Sequence, residues 1–231
     1  MDKISDHKVD FKDLSFTGKL EHIWFYHKWH ILIALVFAIM IVICISQCSV
    51  KDEPDAMLMY LGDRYMPVEY VRYFNEDLEA IMSTDYNGDG EKTVDILQIR
   101  LDMAEGSDGK KQIYNPSTQT ETLERIEVET ATGKSVIYIL EPTLFEQYKH
   151  VLAPLEEVLG YKPDGAIDEY GIALCEIPAY KETYLGSFPE KSVLCIRAKR
   201  TQANMFTKAD NDNYYRANAA FFKELVEWQV Q

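Results

Sequence analysis

Residues 56–82 read AMLMYLGDRYMPVEYVRYFNEDLEAIM, and the change of rhythm inside this stretch decides the fold. Ala56–Leu61 is a continuous apolar run, the pattern of a strand covered on both faces. Gly62-Asp63 turns the chain. Pro67 suits the first position of a helix, where a missing N–H costs nothing. Val71, Phe74, Leu78, Ile81 and Met82 then recur at helical spacing. A buried strand leading at once into an amphipathic helix is the first half of a strand–helix–strand unit. After the loop DYNGDGEK, Thr93–Met103 (TVDILQIRLDM) alternates and carries β-branched residues, so it supplies the second strand.

Downstream, the same alternation continues. Ala104–Asn115 is polar and reads as a loop. Asn115-Pro116 opens a helix carrying Leu123, Ile126 and Ala131 that stops at Gly133. Ser135–Leu140 (SVIYIL) is a third strand. Pro142 opens a helix with Leu144, Phe145, Tyr148, Leu152, Leu155 and Leu159 on one face, and Pro154 should kink or split it. Tyr161–Tyr170 is a loop, Gly171–Ile177 and Ser192–Ala198 are strands, and Asn213–Gln229 closes the chain as an amphipathic helix. The order β-α-β-α-β-α-β-β-α predicts an α/β domain over residues 56–231. Its single mixed, largely parallel sheet would have helices packed on its faces.

Upstream the chemistry is different. Ile31–Ile45 reads ILIALVFAIMIVICI with no charge. Extended back to Trp24, the stretch is about 23 residues, enough to cross ~30 Å of hydrocarbon. The sequence predicts a cytoplasmic or interfacial segment over 1–28, a transmembrane helix over 29–50 and a polar linker over 51–55. Trp24, Phe25, Tyr26 and Trp29 cluster at one edge, where amphipathic rings favour the headgroup layer, and Lys28 among them can snorkel outward. Phe16–His30 reads either as a short interfacial helix or as the start of the spanning one. Five Lys precede the span, but only Lys51 and Arg64 lie close after it. That bias places the N-terminus in the cytoplasm and the C-terminal domain outside the cell membrane. A cleaved signal peptide would need a small-x-small site, which is missing here. Lipidation of Cys48 would need a small residue before it, where Gln47 stands.

Net charge narrows the function classes. The chain carries −14, while residues 1–50 hold five Lys and five acids and so balance. All of the excess therefore falls on the outer domain. Such a surface repels phosphate backbones, so no nucleic-acid partner is expected; a lipid bilayer and a membrane or envelope protein are.

The most specific local pattern is Asp85-Tyr86-Asn87-Gly88-Asp89-Gly90-Glu91. Asp85, Asn87 and Asp89 stand at positions one, three and five of a calcium loop, Gly90 at the sharp turn, and Glu91 offers a carbonyl at seven. Over these few residues the segment resembles the calcium loops of EF-hand and dockerin proteins. The twelfth position holds Ile96, with Asp95 one place early, so the bidentate acid of that pattern is missing. The same residues also make an ordinary helix-to-strand turn, because Asn, Asp and Gly tolerate positive φ. Calcium is therefore the one cofactor to test, with Asp85, Asn87, Asp89 and Glu91 as its metal ligands.

Other candidates are sparser. His150 is the domain's one histidine, and no G-x-S-x-G elbow exists. Cys175 and Cys195 sit in strand-like runs and read as buried free thiols, or as a disulfide if those strands are neighbours in register. Tyr65, Tyr70, Tyr73, Tyr170, Tyr180 and Tyr184 fall near strand ends or loops and would line a ligand cleft, or else pack in the core.

Two wider resemblances carry expectations. KLEHIWFYHKWHILIALV resembles the anchors of uncharacterised single-pass membrane proteins of Gram-positive bacteria. GIALCEIPAYKE, SVLCIRAK and the final FFKELVEW are similar in rhythm to one lobe of an extracellular solute-binding protein, which implies ligand capture outside the cell. The expected function is a non-catalytic, membrane-anchored domain that binds a ligand or protein partner, as a subunit of an envelope complex. The alternatives are a calcium-assisted cell-envelope hydrolase using Asp85 or Asp89, and a purely structural subunit.

Overall fold

Phe16–Ser49 forms one uninterrupted helix, α1, in the computed structural model, which describes residues 16–49, 53–132, 134–199 and 208–229. The segment before Trp24 is therefore the beginning of the apolar helix rather than a separate one. Within α1, His27–Cys44 is long and apolar enough to cross a membrane. Every side chain over that stretch is exposed, Leu32, Phe37 and Val42 among them. A helix apolar all round calls for apolar surroundings. The linker residues Lys51 and Asp52, the Cys48 side chain and the stop residue Gly133 lie outside the described residues. The chain divides into two units, Met1–Asp52 and Glu53–Gln231.

The second unit is an α/β domain. It begins with β1 (Ala56–Gly62), α2 (Val68–Ile81), β2 (Val94–Arg100), β3 (Met103–Glu105), β4 (Lys111–Ile113) and α3 (Thr120–Thr132). β5 (Ile137–Leu140), α4 (Pro142–Tyr148), α5 (Leu155–Leu159), β6 (Gly171–Ala173), α6 (Ala179–Glu182), β7 (Val193–Ile196) and α7 (Lys208–Glu227) complete it. The main sheet runs β2-β1-β5-β7-β6. β1 pairs in parallel with β2, Ala56 opposite Val94, and with β5, Leu58 opposite Ile137. β7 then pairs antiparallel with both β5 and β6. The sheet is mixed, with a parallel core and an antiparallel flank.

Burial on both faces explains why β1 reads as an unbroken apolar run. Leu58 and Tyr60 face Phe74 and Leu78 of α2 and Phe221, Phe222 and Leu225 of α7. Met59 and Leu61 face Ile126 of α3 and Leu144 and Phe145 of α4. Each side chain of this size removed from water contributes about 1.5–3 kcal/mol, so the two facing layers supply the domain's main stabilisation.

Three features differ from the sequence reading. The second strand ends at Arg100, and part of the polar stretch after it folds back as the hairpin β3/β4, with Met103 opposite Ile113. Buried Gln119 holds that hairpin's base, accepting from Asp102 N at 2.8 Å and donating to Tyr114 O at 2.5 Å. Local alternation could not reveal a clamp six residues downstream of the hairpin. The fourth strand stops at Ala173, because Leu174–Glu176 turns as a 3-10 helix ahead of Pro178. Gly171, not Cys175, therefore faces Cys195, and both cysteines are free thiols, Cys195 buried and Cys175 half-buried. Burial pushes the Cys195 thiol well above its ordinary value. Pro154 does split its helix, separating α4 from α5.

The β6 edge is covered, and the first half of the β2 edge is bonded to side chains. On β2, Val94 N donates to Glu79 at 3.2 Å and Ile96 N to Asp95 at 2.7 Å. At β6, the 165–167 loop covers the edge, with Ala173 N bonded to Gly165 O and Ile167 N to Gly171 O. Charged groups and covering loops of this kind discourage a further strand from adding to the sheet.

Candidate functional site

The Asp85–Glu91 loop joins α2 to β2 and is held by its own side chains. Asp85 accepts from Gly88 N at 2.6 Å and Gly90 N at 2.8 Å. Asn87 Oδ1 accepts from Asp89 N at 2.8 Å, and Asp89 Oδ1 from Glu91 N at 2.9 Å. Gly88 and Gly90 have φ of 76° and 98°, which the turn requires and which side chains rarely adopt. Among the described residues no three or more His, Cys, Asp or Glu side chains stand close enough to share a metal ion. A carboxylate oxygen that accepts one N–H keeps a second lone pair, but the loop supplies no ready cage for a cation.

The residue that anchors this loop is Asp55, which the sequence reading assigned to a linker. It is 1 % exposed. One carboxylate oxygen accepts from Tyr86 N and Asn87 N, each at 2.7 Å, and the other from Thr93 N at 2.9 Å. Asn218 of α7, fully buried, completes the junction. It accepts from Met57 N at 3.1 Å and donates to Asp55 O at 3.2 Å and Tyr214 O at 2.9 Å. Glu224, one α7 face away, takes the Ser83 N–H and hydroxyl and the Tyr86 hydroxyl. Partial burial first, and the hydrogen bond to Glu224 second, push the Tyr86 phenol up to about 12. These bonds make the loop part of the scaffold at the amino end of β1.

The opposite end of β1 is built differently. There β1 leads into α2 on one face of the sheet, and neighbouring β5 leads into α4 on the other. Chains that diverge to opposite faces leave a crevice outside the carboxyl ends of their strands, the usual ligand position in open α/β sheets. Two cavities lie at this end, on either side of the Gly62–Pro67 loop. One, of about 380 Å³, is lined by Asp63, Arg100, Asp102, Met103 and Tyr114, among others. Lys111 of the hairpin pairs with Asp63 there at 2.6 Å. The other, of about 300 Å³, is an aromatic groove lined by Arg64, Tyr65, Met66, Pro67, Tyr70, Tyr184, Ser187 and Phe188.

The groove's walls are fixed by packing. Tyr184 stacks on Tyr73 with centroids 5.5 Å apart and lies 6.1 Å from Tyr70. Phe188 forms the floor, 4.6 Å from the Tyr60 ring and 5.7 Å from Phe74. Asp77 of α2 accepts from Tyr184 N at 2.7 Å, tying the two walls together. Gln98 of β2 holds Met66 through its N–H at 2.7 Å. The chain curls so tightly after β1 that a Cβ on Gly62 would collide with the Tyr60 hydroxyl, which accepts from Arg64 N at 3.3 Å. Burial pushes the Tyr60 phenol up to about 12, so it stays protonated as part of the floor.

Of the tyrosines singled out from sequence, Tyr65, Tyr70, Tyr73 and Tyr184 come together here. Tyr180 supports the groove from below, its hydroxyl donating to Phe188 O at 2.9 Å. Tyr170 packs against the other face of the sheet. His150 is exposed in the 3-10 turn that follows α4, its ring near Tyr148 and its Nδ1 3.1 Å from Gln147 O. Comparison of the chain with known protein families, with curated proteins and with solved structures returned no match.

Proposed function

We propose that this chain is a non-catalytic binding module, anchored in the cell membrane by α1 with its α/β domain outside the cytoplasm. The aromatic groove receives a ligand or protein partner, and the module serves as a subunit of an envelope complex. The groove carries this reading. Its lining is mostly rings and apolar side chains with one cation, the composition of a recognition surface rather than of a proton-transfer site. It lies at the carboxyl end of β1, whereas the tether joins at the amino end, so capture and attachment occupy opposite ends of one strand.

Affinity purification of the detergent-solubilised chain, read by quantitative mass spectrometry beside a Tyr70→Ala variant, tests the reading. A partner retained by the native chain and lost from the variant is expected. Return of the bait alone would remove the basis for a complex subunit. Orientation has its own measurement. Cys175 is the partly exposed thiol of the domain and Cys195 is buried, so a membrane-impermeant maleimide should label intact cells at Cys175. In a Cys44→Ser, Cys48→Ser background the label should vanish when Cys175→Ser is added. Labelling only after the membrane is opened would place the domain on the cytoplasmic side.

A further inference from the structure

The class of partner follows from what lines the groove and what surrounds it, an inference that rests on the groove being the binding site. Arg64 is the one charged residue among those lining it. It is exposed and forms no ion pair with another described residue. A free guanidinium beside an apolar cleft presents two parallel N–H donors in the geometry of a carboxylate.

Size sets the second constraint. A cleft of about 300 Å³ stands at the lower limit of small-molecule sites and suits one large side chain. The apolar surface continues well beyond it. Beside the lining residues Tyr65 and Tyr70, Val68 is 72 % exposed and Tyr73 39 %, and neither lines the cleft. A small acid would fill the cleft and leave this collar in water, while a polypeptide crossing it would cover both. The groove is lined by residues of the β1–α2 connection, the first turn of α2 and the turn after α6 rather than by a strand edge, so the polypeptide lies on side chains rather than adding as a strand. We infer that the groove takes a peptide segment in which an apolar or aromatic residue stands beside a carboxylate. The apolar residue lies against Tyr70 and Tyr184 above Phe188, and the carboxylate pairs with Arg64. The chain's net charge of −14 disfavours a run of acids on the partner, so one carboxylate at short range is the matching pattern.

The carboxylate comes from a chain terminus or from an Asp or Glu side chain, and one experiment separates these. The full-length chain in phosphatidylcholine nanodiscs is panned against random pentapeptides, made with free and with amidated C-termini, beside Arg64→Gln. The expected result is enrichment of Phe, Tyr, Trp, Leu or Met next to a carboxylate, with affinity about fivefold or more weaker in Arg64→Gln by fluorescence anisotropy. Enrichment confined to the free-terminus arm assigns the chain end, and enrichment of Asp or Glu neighbours in both arms assigns the side chain. Enrichment of basic or uncharged peptides, or binding indifferent to Arg64→Gln, overturns the inference. The groove itself still stands in that case if Tyr70→Ala abolishes capture. No enrichment in either arm overturns the peptide inference, and if the purified chain also returns alone, the binding reading fails with it.

Discussion

Replacing Asp55 by alanine is expected to lower the stability of the α/β domain by about 3 kcal/mol, a fall in Tm of roughly 6–12 °C for a unit of this size. The carboxylate is 1 % exposed and accepts three backbone N–H bonds, from Tyr86, Asn87 and Thr93. Hydrogen bonds to a charged acceptor are worth about 1.5–3 kcal/mol each, and partial access of water to the freed amides reduces their sum. Asp55→Asn restores one acceptor but turns an amide donor toward N–H groups, so it should recover only part of the loss. Asp89→Ala, by contrast, removes the bond to Glu91 N on an exposed loop and should cost under about 1 kcal/mol. Thermal melts of the detergent-solubilised chain, followed by circular dichroism, give all three values. Running the same melts in millimolar calcium and in chelator also decides the loop's chemistry. A calcium-dependent rise that disappears in Asp85→Ala places an ion at Asp85–Glu91, and identical curves make the loop a turn held by Asp55. If Asp55→Ala melted with the native chain, the junction would not be the clamp its geometry describes.

The contrast between Asp55 and the 85–91 loop shows which parts of this molecule were legible in its sequence. The loop announces itself because Asn, Asp and Gly at fixed spacing serve the backbone within a few residues. Asp55 follows Pro54 in a polar run and looks like linker, since its partners lie 31 to 38 positions away in sequence. Asn218 is further still from Met57, 161 positions, and no periodicity can report such a bond. The apolar run of β1 and the helical stripe of Phe74, Leu78 and Ile81 were readable because burial imposes a period on each. The hairpin β3/β4 was not. Its strands are three residues long and half-exposed, too short for alternation to show, and Gln119 rather than a core face defines its base.

The groove stands between these cases. Six tyrosines near strand ends gave a pool from which the fold selects. Tyr65 arrives from the β1–α2 connection, Tyr70 from the first turn of α2, and Tyr184 from the turn after α6. What brings the two segments together is the Asp77 bond to Tyr184 N and the Phe188 ring under Tyr60. Arg64 was visible only as one of two positive charges following the span. Its place at the mouth of an aromatic cleft depends on the turn forced by Gly62, a matter of three-dimensional crowding rather than pattern.

Phe188→Ala should produce the other large effect, because the ring belongs to the core and to the groove at once. It is 3 % exposed and touches Tyr60 and Phe74, so truncation removes buried area and leaves a void beneath the groove. Losses of this kind run to about 3–5 kcal/mol. The groove that Phe188 lines together with Tyr70 and Tyr184 would lose its floor, and partner capture should fall below detection. Stability and binding must be separated for that result to mean anything, and two companion variants do so. Phe188→Leu keeps most of the volume and should recover all but about 1.5 kcal/mol of the stability while still weakening capture, since a branched aliphatic cannot reproduce the flat floor. Tyr70→Ala lies on the exposed wall, should change the melt little, and should abolish capture. Equilibrium unfolding of each variant, set beside partner retention at a temperature where all remain folded, tests the three together. A Phe188→Ala protein that is folded, destabilised and still holds its partner would make the ring a core residue only, and would move the binding site away from the carboxyl end of β1.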